Sequence, residues 1–238
     1  MKPLRSLLDR LEPLFTKGGR FEQLHALFEA VDTFFYSPAD LARGSPHVRD
    51  AIDLKRVMIL VVFASTPAAV VGMWNTGFQA NMAMQSLGLV GIEGWRGALL
   101  ALLGAGYDPN SLYDCILQGA LYFVPIYVVT MVVGLTWEVL FAGVRNHEVN
   151  EGFFVTGWLY ALILPATIPL WQVGVGITFG VILGKEVFGG TGKNFLTPAL
   201  LGRAFLYFAY PAQISGDAVW TAADGFTGAT VLGVGALE

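Results

Sequence analysis

The sequence predicts an all-α integral membrane protein, with about five transmembrane helices, some broken or short, behind an amphipathic helical arm. Three observations carry that prediction. Apolar residues make up 55% of the chain and charged residues 13%, against about 25% charge in ordinary soluble domains, and mean hydropathy is +0.59. The apolar residues gather in runs of the length that a hydrocarbon core of about 30 Å requires, several of them interrupted by Pro or Gly. The basic residues are unevenly placed: of 14 Lys and Arg, nine (Lys2, Arg5, Arg10, Lys17, Arg20, Arg43, Arg49, Lys55 and Arg56) fall in residues 1–56. A net charge of -4 gives no argument for nucleic acid. Cys115 is the single cysteine, so the chain has no intrachain disulfide, no zinc cluster and no four-cysteine iron–sulfur site of its own.

Residues 1–56 read as a cytoplasmic arm. Leu4, Leu7, Leu8, Leu11 and Phe15 repeat at helical spacing, as do Phe21, Leu24, Leu27, Phe28 and Val31. Pro13 is expected to end or kink the first helix. Arg and Lys between the apolar positions suit short helices on the membrane surface or against a partner; a solvated helical hairpin is the alternative. Met1 to about Phe35 is too charged for a signal peptide.

A transmembrane domain is expected over 57–214. Its first span runs from about Val57 to Gly77. Residues 78–114 are mixed, with polar Asn81 and Gln85 and an apolar piece, 98–107, that is too short to cross and reads as interfacial or re-entrant. Cys115 to Val144 is a long second span containing Pro125 and one acid, Glu138. After the loop 145–151, Phe153 to Trp171 makes a third span with Pro165 and Pro169. Val173 to Gly184 is a short fourth, and Phe195 to Ile214 a fifth with Pro198 and Arg203. Short spans interrupted by Pro and Gly are the pattern of broken helices, whose free backbone groups line a site at membrane depth. Five crossings from an internal amino terminus put Arg145, Lys185 and Lys193 inside with the nine others, leave Arg96 outside, and bring residues 215–238 out on the external face.

Few residues invite chemistry. An acid in a span is expensive and faces a cavity, a partner or an ion path, so Glu138 is either an interfacial acid paired with Arg145 or an acid at an ion or ligand site. Gly134 and Arg145 share its helical face. The run Gly189-Gly190-Thr191-Gly192-Lys193-Asn194 is not a phosphate loop: Val187 stands where the first glycine belongs and Asn194 where Ser or Thr is required. It reads as a flexible loop into a helix amino terminus, where Asn194 and Thr197 either cap the helix or bind a polar group. Arg203 is a snorkelling side chain or a partner for a buried acid or a phosphate. His25, His47 and His147 show no paired metal spacing, and no G-x-G-x-x-G marks a dinucleotide site.

The last stretch that stands out is Asp224-Gly225-Phe226-Thr227-Gly228-Ala229-Thr230. By itself it is a Gly/Thr-rich turn after a span. It also resembles the acceptor motif D-G-x-S/T-G-A-T, whose final threonine carries flavin mononucleotide (FMN) through a phosphodiester. Gly225 and Gly228 leave room for a bulky isoalloxazine ring. Asp224 can fix the turn or help bind the metal of the flavin transferase that attaches the group.

Three separated segments occur in the right order: 134–152 with its loop Arg145 to Gly152, Gly189 to Arg203, and Asp224 to Thr230. Together they resemble the B subunit of the sodium-pumping NADH:quinone reductases of bacterial inner membranes. The D subunit of the related Rnf complex shares the span pattern and the flavin motif; the long basic arm and the loop 147–154 favour the former. The resemblance implies covalent FMN on Thr230, flanked by Asp224, Gly225, Gly228 and Ala229, on the periplasmic face. It implies a non-covalent riboflavin near Asn194, Thr197, Thr156 and Arg203, and quinone and ion sites near Gly134 and Glu138. Leu135 stands where a second glycine is expected, and Thr197 where an asparagine is. Electrons would come from NADH on other subunits and pass to quinone, coupled to Na+ export. The resemblance also leads one to expect a further group of spans forming an inverted repeat with these, so that a chain reaching only Glu238 reads as a fragment or a truncated form. The competing class is a flavin-free transporter or channel with Glu138 as its coupling acid.

Overall fold

The computed structural model describes residues 2–16, 19, 21, 25, 28, 32, 36, 54–89, 91–92, 94–145 and 152–221. Helices dominate, and no strand occurs among the described residues. In the arm, α1 (Lys2–Phe15) contains Pro13 and ends only two residues after it. A proline in the last turn forfeits one intrahelical bond, and that is too little to stop the helix where expected. Leu7, Leu11 and Leu14 make an exposed apolar stripe, while Leu8 is buried. The arm folds on itself: the Phe15 ring stacks on Phe28 at 4.9 Å, and Arg5 pairs with Asp9 at 2.8 Å and Asp32 at 2.9 Å.

The first span is longer than its apolar run. Helix α2 (Leu54–Ser86) continues nine residues past Gly77, because its buried face Ala80, Asn81, Ala83 and Met84 packs on the next long helix. Asn81 therefore lies inside, its Nδ2 donating to Cys115 Sγ at 3.6 Å. The short apolar piece becomes α3 (Trp95–Leu102), eight residues and too short to cross. Arg96 fastens it, lying over the Tyr122 ring at 4.4 Å and donating from Nε to the Leu121 carbonyl at 3.3 Å.

Helix α4 (Leu112–Arg145) is the centre of the bundle. It packs on α2, α5 (Gly152–Ile163) and α6 (Leu170–Gly184). The α2–α4 pair is antiparallel, with Gly77 against the Cys115 backbone and Gly119 against that of Met73; small residues let membrane helices approach this closely. Two tryptophan indoles are satisfied across helices. Trp137 Nε1 donates to Thr178 Oγ1 at 3.0 Å, and Trp158 Nε1 to Ser65 Oγ at 2.8 Å, the second tying α5 to α2. Trp158→Phe keeps most of the ring packing and loses this bond, at an expected cost of about 1 kcal/mol. Thermal unfolding in detergent should show a fall of roughly 2–4 °C.

The last three predicted spans differ from the helices found. The span expected over 153–171 stops at Ile163, and Pro165 and Pro169 hold 164–169 out of the helix by removing backbone donors. Trp171 therefore belongs to α6. The span expected over 195–214 is cut to α7 (Pro198–Ala209) and α8 (Pro211–Ile214), broken at Tyr210, the residue before a proline. Among the described residues three helical stretches, Arg56–Ser86, Leu112–Arg145 and Leu170–Phe188, are long and apolar enough to cross a membrane. Helices α5 and α7, at twelve residues each, reach only about 18 Å. Gly176, Gly180 and Gly184 recur every fourth residue along α6 where it meets α7.

Candidate cofactor and ion site

Four charged side chains meet where α4 and α6 end together. Glu138 sits on the buried face of α4 and is 4% exposed. Lys185 caps the carboxyl end of α6, its backbone N–H donating to the Val181 carbonyl. Its Nζ donates to Glu138 Oε1 at 2.5 Å and lies 3.9 Å from Glu186 Oε1. Glu186, 1% exposed, opens a single 3-10 turn. It accepts from Arg145 Nη1 at 2.8 Å on Oε2, and from Nη2 at 2.5 Å on its own carbonyl. The Glu138–Arg145 pair, one of the two readings of Glu138, gives way to two crossed pairs, Glu138–Lys185 and Glu186–Arg145. Among the described residues these four charges sum to zero, and an unpaired charge here would be costly.

Beside this network lies a cavity of about 290 Å³, whose wall includes Thr156, Lys185, Thr191, Asn194, Thr197 and Pro198. The fold thereby brings Thr156 from the first turns of α5 together with Asn194 and Thr197 from the loop before α7. The loop is shaped by left-handed backbone at Gly189, φ 108°, and Gly192, φ 85°, which a side chain would strain. Asn194 Nδ2 donates to the Leu196 carbonyl at 2.9 Å, and Oδ1 accepts from Gly192 N–H at 3.3 Å, so Asn194 holds the loop and does not cap α7. Thr197 occupies the N-cap position without a side-chain capping bond. Thr191 Oγ1 is buried and has no partner. Sequence alone did not single out Lys185, Glu186 and Thr191; the adjacent Lys-Glu pair ending a short apolar helix was the available signal.

The other expected site residues are placed differently. A Cβ on Gly134 would overlap the Phe153 ring, so Gly134 is the gap that lets α5 pack on α4 and lies off the cavity wall. Arg203 is exposed on α7 and also lies off that wall. At the opposite end of the bundle, a second cleft of about 270 Å³ is lined by Asn75, Gln79, Trp220 and Thr221 among others. Asp224, Gly225, Gly228, Ala229 and Thr230 lie outside the described residues. The basic residues are unevenly placed, with Arg145, Lys185 and Lys193 at the end holding the first cavity and Arg96 toward the other.

Residues 41–237 match the sequence profile of the NQR2, RnfD, RnfE family. The chain is 63% identical over 235 residues to the B subunit of the Na(+)-translocating NADH-quinone reductase of Ectopseudomonas mendocina (strain ymp), covering 98% of this chain and 58% of that protein. The same figures hold for the protein of that name from Azotobacter vinelandii (strain DJ / ATCC BAA-1303). One from Chromohalobacter salexigens is 62% identical over 233 residues, covering 98% of this chain and 56% of that one. The chain thus spans a little over half the length of these curated relatives.

Proposed function

The chain belongs to the NQR2, RnfD, RnfE family, and from that premise we propose that it acts as a membrane electron-transfer subunit of an ion-pumping NADH:quinone oxidoreductase. In this reading it sits in the bacterial inner membrane, carries FMN on Thr230 at the periplasmic face, and holds a second, non-covalent flavin in the 290 Å³ cavity. Quinone is reduced near Gly134 and Glu138, and the passage of electrons is coupled to Na+ export. NADH is oxidised on other subunits of the complex. The relatives' shared name supports the NADH:quinone reductase over the Rnf complex as its home.

The observation that carries the reading is the gathering of Thr156, Asn194 and Thr197 around one cavity. Its volume is at the lower edge of small-molecule pockets, roughly 300–1,000 Å³. The unpartnered hydroxyl of Thr191 is a hydrogen-bonding group waiting for a polar edge, so the residues fit the group. A bound flavin supplies a carrier able to accept one or two electrons. The chain's own residues do the rest. Asn194 fixes the loop, the hydroxyls of Thr156, Thr191 and Thr197 offer hydrogen bonds, Lys185 brings a positive charge to the wall, and the apolar helices exclude water. The basic end of the bundle lies inside, by the charge bias of membrane topology, and the chain reaches Thr221 at the other end.

The covalent flavin is tested by co-expressing the flavin transferase, denaturing the protein and viewing the gel band under ultraviolet light. Fluorescence is expected in the wild type and absent from Thr230→Ala. Fluorescence that persists in the variant removes Thr230 as the attachment residue. A dark wild-type band favours the flavin-free transporter.

A further inference from the structure

The geometry points to Lys185 as a tethered cation that occupies the Glu138 carboxylate until Na+ displaces it. This rests on the ion-site part of the proposed function and adds to it Lys185, the group that must move, and Glu186 with Arg145, the pair that stays.

An ammonium is a compact, strongly hydrated monovalent charge on a flexible stem, and Na+ shares everything but the stem. A buried carboxylate built to hold one presents the oxygens and the desolvated charge needed for the other. The Lys185 contact is also the one able to break. Arg145 grips Glu186 through both Nη atoms, on carboxylate and carbonyl, whereas Lys185 holds Glu138 through a single nitrogen. Glu186 therefore remains compensated when Lys185 leaves.

The ammonium has somewhere to go, because Lys185 forms part of the cavity wall. A cation in its place also finds a second source of oxygen. The last carbonyls of α6 have no intrahelical donors, and the carboxyl end of a helix carries partial negative charge. Exchange at Glu138 leaves that carboxylate paired and moves one positive charge to the cavity. Negative charge in the cavity then favours cation uptake at Glu138, and the cation favours negative charge in the cavity by the same factor. No bond is made or broken.

The test uses the assembled membrane complex with Lys185→Met, measured as ²²Na+ equilibrium binding and as thermal unfolding in Na+ against K+. Without the tethered competitor, Na+ should bind at least tenfold more tightly than in the wild type. The variant should unfold early in K+ and recover in Na+. Lys185→Arg, which keeps a fixed cation on Glu138, should bind no added Na+ there, and Glu138→Gln combined with Lys185→Met should lose both responses. An unchanged Na+ affinity in Lys185→Met overturns the proposal, as does a response that survives Glu138→Gln. If Lys185→Met fails to assemble in low Na+, recovery of assembly in cells grown at high Na+ is the same rescue; failure at every Na+ concentration counts against it. Glu138→Gln alone separates the two levels. If the Na+ dependence of turnover is unchanged in that variant, the ion-site reading itself falls. If the dependence is lost but Lys185→Met gains no affinity, only the role of Lys185 falls.

Discussion

Glu138→Ala is expected to destabilise the chain by up to about 3–5 kcal/mol, measured by unfolding in detergent without Na+, because the Lys185 ammonium must then stay buried unpaired or swing into the cavity it lines. Lys185 is 5% exposed and lies 3.9 Å from the Glu186 carboxylate, which Arg145 already neutralises. Among the described residues the ammonium, while it stays buried, has no second full partner. Removing both members, as in Glu138→Leu with Lys185→Met, should cost far less than either single change. Replacing a buried ion pair by apolar groups of similar volume is often neutral, since the pair's attraction only offsets its desolvation. The coupling in this double-mutant cycle should approach the size of the single effects. Equal, small losses in all three variants would mean that water reaches the pair. The double variant also keeps the region neutral through Glu186 and Arg145, so its stability should ignore Na+.

This pair marks how far the residues could be read without coordinates. A carboxylate in a long apolar run announces its own cost, and Glu138 stood out for that reason. Its partner could not be read the same way. Arg145 shares its helical face but lies seven residues on, about 10.5 Å along the axis, and it reaches Glu186 instead. Lys185 arrives through the packing of α6 on α4, a contact between residues 47 apart in the chain. Apolar runs marked where membrane segments lie, but not where Pro165, Pro169 and Pro211 would end the helices and leave two of the five expected spans short, because a proline ends one helix and sits harmlessly inside another. Pro67 and Pro125 lie within long helices. Thr156, Asn194 and Thr197 were suggested by resemblance, and only the return of α7 beside α5 brings them to one cavity. Thr191 was hidden among glycines, since nothing in a loop sequence says which hydroxyl will be left without a partner.

Gly180→Leu should be as damaging as loss of Glu138, for a steric reason that reaches the cavity. A Cβ at Gly180 overlaps the Pro198 carbonyl oxygen and crowds the Gly202 backbone nitrogen. Backbone cannot rotate away as a side chain can, so the cost should reach or exceed the upper end of the roughly 1–3 kcal/mol usual for overpacking. Helix α7 begins at Pro198, which is itself part of the cavity wall. Relief of the clash must move α7 away from α6 and pull on the loop 185–197 that joins them. Non-covalent flavin should then be lost from the purified complex, while any covalent fluorescence on the gel band remains. Gly174→Ala supplies the control on the same helix: its Cβ meets only Val133 and Val129 side-chain atoms, at 3.7 and 3.9 Å, ordinary contacts, and Ala favours helix by about 1 kcal/mol over Gly. That variant should match or slightly exceed the wild type in stability and keep both flavins. If Gly180→Leu did the same, the close α6–α7 contact would not be what positions the cavity wall, and Thr191, Asn194 and Thr197 would owe their places to the loop alone.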